Sequence, residues 1–209
     1  MRYIIIAAGL LLLLLPATLC AQDENIRGAV VTRTGLLIVW NEPHNNFTIE
    51  VKAKTFEQVK NKNLAFLVDG KFLQVVTAFT GDFISYIQKQ QQPDEKTILL
   101  SHRDWESKYL EQTVGEPLKV DSEAISLANG KPALFWSFLV PEKDRAKVKR
   151  QVFLTVCKGE SVLVLNGAVT PEVSEQAVRQ FLLETINTLR IRERPLSRAE
   201  AVELATTVN

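Results

Sequence analysis

Polar and apolar positions alternate along the chain with two different periods, and the places where one gives way to the other divide it into elements. In "GLLIVWNEPHNNFTIEVKA" two strands, Leu36 to Trp40 and Phe47 to Ala53, flank a turn rich in Asn and Pro. Phe47, Ile49, Val51 and Ala53 alternate with Thr48, Glu50, Lys52 and Lys54, which predicts one buried and one wet face. "LAFLVDGKFLQVVTAF" holds two β-rich runs around Asp69-Gly70, the dipeptide whose positive φ angles a tight hairpin turn demands. Phe83, Ile84, Tyr86 and Ile87 then sit at helical spacing ahead of a Gln-rich tract and Pro93.

"PALFWSFLV", "RQVFLTVCK" and "ESVLVLNGAV" are apolar at consecutive positions. Leu134, Trp136 and Phe138 share one face and Phe135 and Leu139 the other, so these strands are covered on both faces. The short "CKGES" link makes neighbours antiparallel. After Pro171 the period changes to helical. Val173, Ala177, Val178, Phe181, Leu182, Ile186 and Leu189 form one stripe, with Glu172 and Glu175 early and Arg190 and Arg192 late, as the helix dipole prefers. Ser197, with Glu200 three residues on, caps a short terminal helix.

The first residues have a different grammar. Arg2 precedes the apolar run Tyr3 to Leu15, closed by Pro16 and small residues, which predicts a secretory signal peptide over residues 1–21. A membrane span needs roughly 20 apolar residues, more than this run supplies. Cleavage is expected after Cys20 or Ala21. Acylation of Cys20 is the alternative, although Leu19 stands where that signal uses a small residue. With no composition break further on, residues 22–195 read as a single globular domain and 196–209 as a C-terminal tail or short helix.

The whole chain carries 25 basic and 24 acidic residues, and Arg2 is the one charge in the leader. The secreted chain is therefore balanced, which argues against nucleic acid as a partner. Cys157 alone remains after cleavage, so no internal disulfide is available.

Candidate chemistry is sparse. In "SHRDWESKYLEQTV" the residues Ser101, His102 and Asp104 imitate a catalytic cluster. On a helix, however, His102 and Asp104 point about 200° apart, and Ser-x-x-Asp is the spacing of an N-cap. Ser101 is therefore expected to begin a helix. With His44 and His102 as the histidines, no metal site is expected, and no cofactor motif is present. Nothing local lowers the Cys157 pKa, so it reads as a buried hydrophobe. Asn46 opens a glycosylation sequon. Trp136, Trp105 and Tyr109 are the candidates for lining an apolar cleft between sheet and helices, with core packing, the commoner fate of such aromatics, as the default.

The succession of leader, N-terminal strands, "PALFWSFLVP", "KRQVFLTVCKGESVLVLNGAV" and a final "FLLETINTLRI" helix, over roughly residues 44–191, resembles exported bacterial proteins of the PsbP-like and DcrB-like group. The resemblance implies an α+β fold, an α/β/α sandwich with helices on both faces of a mainly antiparallel central sheet. It also implies a noncatalytic accessory or assembly role, often at a membrane complex or in the cell envelope; the expected partner is an unknown protein, or a small apolar ligand where the aromatic residues line a cleft. No residue role carries over. The alternatives are a carrier of an apolar small molecule, and a hydrolase using His102 or His44 with a distant acid.

Overall fold

The computed structural model describes residues 27–43, 45–87 and 93–207; the leader, Cys20 and His44 lie outside them. The strands are β1 Arg27–Val31, β2 Gly35–Trp40, β3 Asn46–Lys52, β4 Phe56–Gln58, β5 Ala65–Val68, β6 Lys71–Phe79, β7 Val120–Ser126, β8 Pro132–Leu139, β9 Arg150–Lys158, β10 Ser161–Val169 and β11 Arg190–Arg192. The helices are α1 Glu95–Val114, α2 Glu175–Ile186 and α3 Arg198–Thr207.

The strands form two sheets rather than one. β1-β2-β3-β11 make a four-stranded sheet, and β4-β5-β6-β10-β9-β8-β7 a seven-stranded one. Every pairing in both is antiparallel. The run from 132 to 169 supplies the neighbours β8, β9 and β10, as the double-sided apolar pattern requires. Asp69 and Gly70, at φ 45° and 77°, turn β5 into β6.

Alternation along β8 separates two cores. Leu134, Trp136 and Phe138 pack with Phe153, Val164 and Leu99 of α1. Phe135 points the other way and joins Leu154, Leu165, the α2 residues Val178, Phe181 and Leu182, and Ile38 and Ile49 of the smaller sheet. The smaller sheet is itself buried twice: Leu36, Ile38 and Trp40 join that large core, while Leu37 and Val39 pack with Ala201 and Ala205 of α3. The terminal segment is held there by Asn41, which donates to the Leu196 carbonyl at 2.7 Å and accepts from its N–H at 3.2 Å. Ser197 and Glu200 form the expected capping box, each side chain bonding the other's backbone N–H.

Three local expectations are corrected. α1 begins six residues before Ser101, because Asp94 takes the cap position and accepts from the Thr97 N–H at 2.7 Å. Ser101 lies inside the helix and donates to the Tyr86 carbonyl at 3.0 Å. The segment before the Gln tract is a 3-10 turn, Thr80–Tyr86, broken at Phe83. α2 stops at Ile186, because the Thr188 hydroxyl accepts from the Glu50 N–H at 2.9 Å and donates to its carbonyl at 2.8 Å. That clamp turns the next residues into β11 alongside β3, so Arg190 and Arg192 lie on a strand. Asn46 is buried at the start of β3, so the folded chain does not present its sequon.

Candidate functional site

Two concave regions stand out, one on each face of the seven-stranded sheet. The larger, about 810 Å³, lies where β1 and β2 face β4, β5 and β6. Its lining is mixed: Leu36, Trp40, Leu64, Phe66 and Val75, with Phe56 and Phe79 near the mouth, stand beside the polar side chains of Arg27, Glu42, Gln58, Asn63 and Thr77. Val31 and Phe79 are 65% and 46% exposed, so the cleft opens to solvent. Trp40 stacks on Phe47 at 5.6 Å and lies under the Arg27 guanidinium at 5.5 Å, and Arg27 in turn pairs with Glu42 at 3.1 Å.

The second region runs beneath α1. Cavities of about 300 and 470 Å³ share Gln74, Glu106, Phe153 and Asn166, so they form one groove. Its floor follows from strand register: Gln74 on β6 is opposite Asn166 on β10, which is opposite Phe153 on β9. Gln151, two residues from Phe153 on the same face, extends the floor. His102 and Glu106, one helical turn apart, come down from α1.

The groove's electrostatics are set by desolvation. His102 is 1% exposed, its ring edge-on to Phe83 at 5.3 Å and 5.9 Å from Trp105, and burial pushes its pKa down to about 4. Its Nδ1 has no hydrogen-bond partner among the described residues. Burial also raises the Glu106 pKa. No ion pair relieves Glu106 among the described residues, whereas Arg103 beside it binds Asp104 at 2.6 Å and Ser122 at 2.7 Å.

Of the three aromatic candidates, Trp105 lines this groove. Trp136 is 1% exposed and stacked on Phe153 at 3.8 Å, in the core below the floor. Tyr109 is 58% exposed and lines neither region. The structure thus does not bring these three together. It brings together Gln74, Glu106, Gln151 and Asn166, which the sequence reading passed over. Their signal is a polar residue at a buried-parity position, as in "FLQVV" and "LVLNGAV".

Cys157 is buried at the end of β9, its thiol 3.5 Å from the Glu95 carbonyl, and burial, with the Glu95 charge, pushes its pKa up to about 12. Iodoacetamide should therefore leave Cys157 unmodified in the native protein at pH 8 and label it fully in urea; peptide mass mapping reads the difference. Lys158 is 4% exposed and donates to Asn45 Oδ1 at 2.6 Å, a buried amide partner that holds the strand end. Among the described residues no group of three or more His, Cys, Asp or Glu could hold a metal ion, and no helix is long and apolar enough to cross a membrane.

No protein-family model matches the chain, and neither does any curated protein. The chain is similar in structure to cyanobacterial PsbP (CyanoP) from Synechocystis sp. PCC 6803, with 7% identity, over 78% of this chain and 94% of that one, at a TM-score of 0.49. This is the group that the order of elements resembles, and the likeness carries no argument about function.

Proposed function

We propose that this chain is an exported accessory protein of the cell envelope that binds without turnover, and that the cleft between its sheets receives an apolar group of its partner. The fold is proposed to be the α/β/α sandwich of the PsbP-like group with a small sheet added on one side. The observation that carries the binding reading is the cleft of about 810 Å³, which offers Leu36, Trp40, Leu64, Phe66 and Val75 as apolar surface, is large enough for an alkyl chain or ring system and is open to solvent at Phe79. The apolar leader followed by charged sequence supports export.

The test uses palmitate as probe in native mass spectrometry of the purified protein. One palmitate per chain is expected for the wild type. Ala29→Trp, which fills the cleft from an exposed position on β1, should lower affinity at least tenfold and leave the melting temperature within a few degrees. Equal palmitate binding by both proteins overturns the cleft reading. The mature N-terminus, read by sequencing protein from its own cells, tests export.

A hydrolytic reading draws on one observation, that His102 shares its cavity with Glu106 and Asp82. A base with a pKa of about 4, and no partner on Nδ1 to orient it, is poorly matched to proton transfer near neutrality. Turnover that His102→Ala abolishes would reverse this preference.

A further inference from the structure

The groove beneath α1 has a chemistry unlike that of the cleft, and its unused groups share one requirement. Glu106 presents a carboxyl with no ion pair among the described residues. Asn166 Oδ1 and Gln151 Oε1 are buried acceptors with no hydrogen-bond partner there. Both amides sit on the groove floor, and a terminal amide torsion is soft, so a donor entering the groove can be met by a small rotation. Unsatisfied acceptors of this kind are costly unless something supplies donors. A primary ammonium carries three donors and no acceptor, matching one carboxylate and two amide oxygens. Trp105 and Phe153 add aromatic surface beside them, which favours a cation, and Phe138 and Leu110 continue the groove as an apolar track for a carbon stem.

We infer that the α1 groove is a binding site for a primary alkylammonium group, held by Glu106, Asn166 and Gln151 with its carbon stem along Phe153 and Phe138. The free amine of a small molecule and the side chain of a lysine share this chemistry. Burial raises the Glu106 pKa and a bound ammonium favours its ionised form, so affinity rises as pH passes upward through the raised value and then levels. The other charged groups facing Glu106 are Asp82 from the 3-10 turn, Lys62 from the β4–β5 link, and Lys143 with Asp144 from the β8–β9 link; His102 on its own helix stays neutral over that range. The two lysines and two aspartates offset one another, which leaves Glu106 to set the sign of the site.

The experiment is an NMR titration of the purified protein with n-butylammonium, following the side-chain amide signals of Gln74, Gln151 and Asn166. These signals should shift together and saturate. Tetramethylammonium, which has the charge but no N–H, and n-butanol, which has the stem but no charge, should each bind at least tenfold more weakly. Glu106→Gln should lower n-butylammonium affinity at least tenfold and abolish its rise with pH, while backbone amide positions report an intact fold. Acetyl-lysine methylamide replaces n-butylammonium in a second arm. Tighter binding of the lysine compound assigns the site to a partner protein's side chain, and tighter binding of the simple amine assigns it to a small molecule. If n-butanol binds as well as the amine, or if Glu106→Gln leaves affinity and pH slope unchanged, the assignment is overturned. Ala29→Trp, on β1 and outside the groove lining, should not alter amine binding, so failure of the cleft and failure of the groove are read separately.

Discussion

Gly35→Ala should destabilise the protein by about 3 kcal/mol or more, the largest effect expected of any single added methyl group here. Gly35 opens β2 at φ 150°, where a side chain is strained. A Cβ there would meet the Val51 carbonyl oxygen at 2.0 Å and the Ala53 nitrogen at 2.7 Å, both backbone atoms. Neither can rotate away as a side chain would. Ala53 N–H is also committed to the Thr34 carbonyl at 2.9 Å, which ties the start of β2 to the end of β3, and Thr32 N–H to the Gly35 carbonyl at 2.9 Å, which closes the β1–β2 turn. Relief requires moving β2 away from β3, which opens the sheet that walls the cleft. Urea denaturation checks the expectation, with Gly130→Ala as the control. Gly130 has φ 80° with nothing within 4 Å of an added Cβ, so it reports backbone strain alone, about 1–2 kcal/mol. If both variants lose the same stability, steric contact at Gly35 is not what matters.

How far the sequence carries toward this fold depends on how local each cause is. The Asp69-Gly70 turn and the Ser197–Glu200 box lie within four residues, and both are legible. So is the antiparallel block from β8 to β10, because each link is short and each strand is apolar on both faces. The end of α2 is not legible, since the Thr188 hydroxyl that stops it bonds Glu50, 138 residues away. Division into two sheets is hidden for the same reason: β2 is as continuously apolar as β9 and β10, and only its choice of partners separates it from them. At α1 the cause is local but masked by a rival, for Asp94 follows a polar tract while Ser101-x-x-Asp104 offers a second cap spacing seven residues on. The candidate groove was legible in part. His102 and Trp105 attract attention by type, whereas Gln74, Gln151 and Asn166 become a set only when three strands are placed in register.

The pH dependence of stability should carry the signature of His102, a loss of about 3 kcal/mol as pH falls from 6.5 to 4. Above pH 6.5 the imidazole is neutral in both folded and unfolded chains and contributes no slope. Below it the unfolded chain takes up a proton that the folded chain refuses until about pH 4, so unfolding is favoured progressively across that window and the effect is complete below it. The refusal is physical: Phe83 and Trp105 surround the ring, and Nδ1 has no partner among the described residues that could compensate an added charge. His102→Phe keeps an aromatic ring against both neighbours and removes the proton, so its stability should not fall where the wild type's does. Carboxylates with lowered pKa, such as Asp121 beside Arg150 and Glu111 under the Leu118 N–H, act in the same direction but only below their ordinary values of 3.8 and 4.5. Glu106 acts in the opposite direction: its raised pKa stabilises the fold at low pH and loses that contribution as pH climbs from 4.5 through the raised value. The two groups therefore partly cancel in the wild type between pH 4.5 and 6.5. Glu106→Gln should steepen the acid-side decline, and His102→Phe should reverse its sign over the same interval. Urea midpoints measured at pH 4.5, 5.5 and 6.5 distinguish the pair, and parallel curves for all three proteins would show that neither desolvated group governs the acid response.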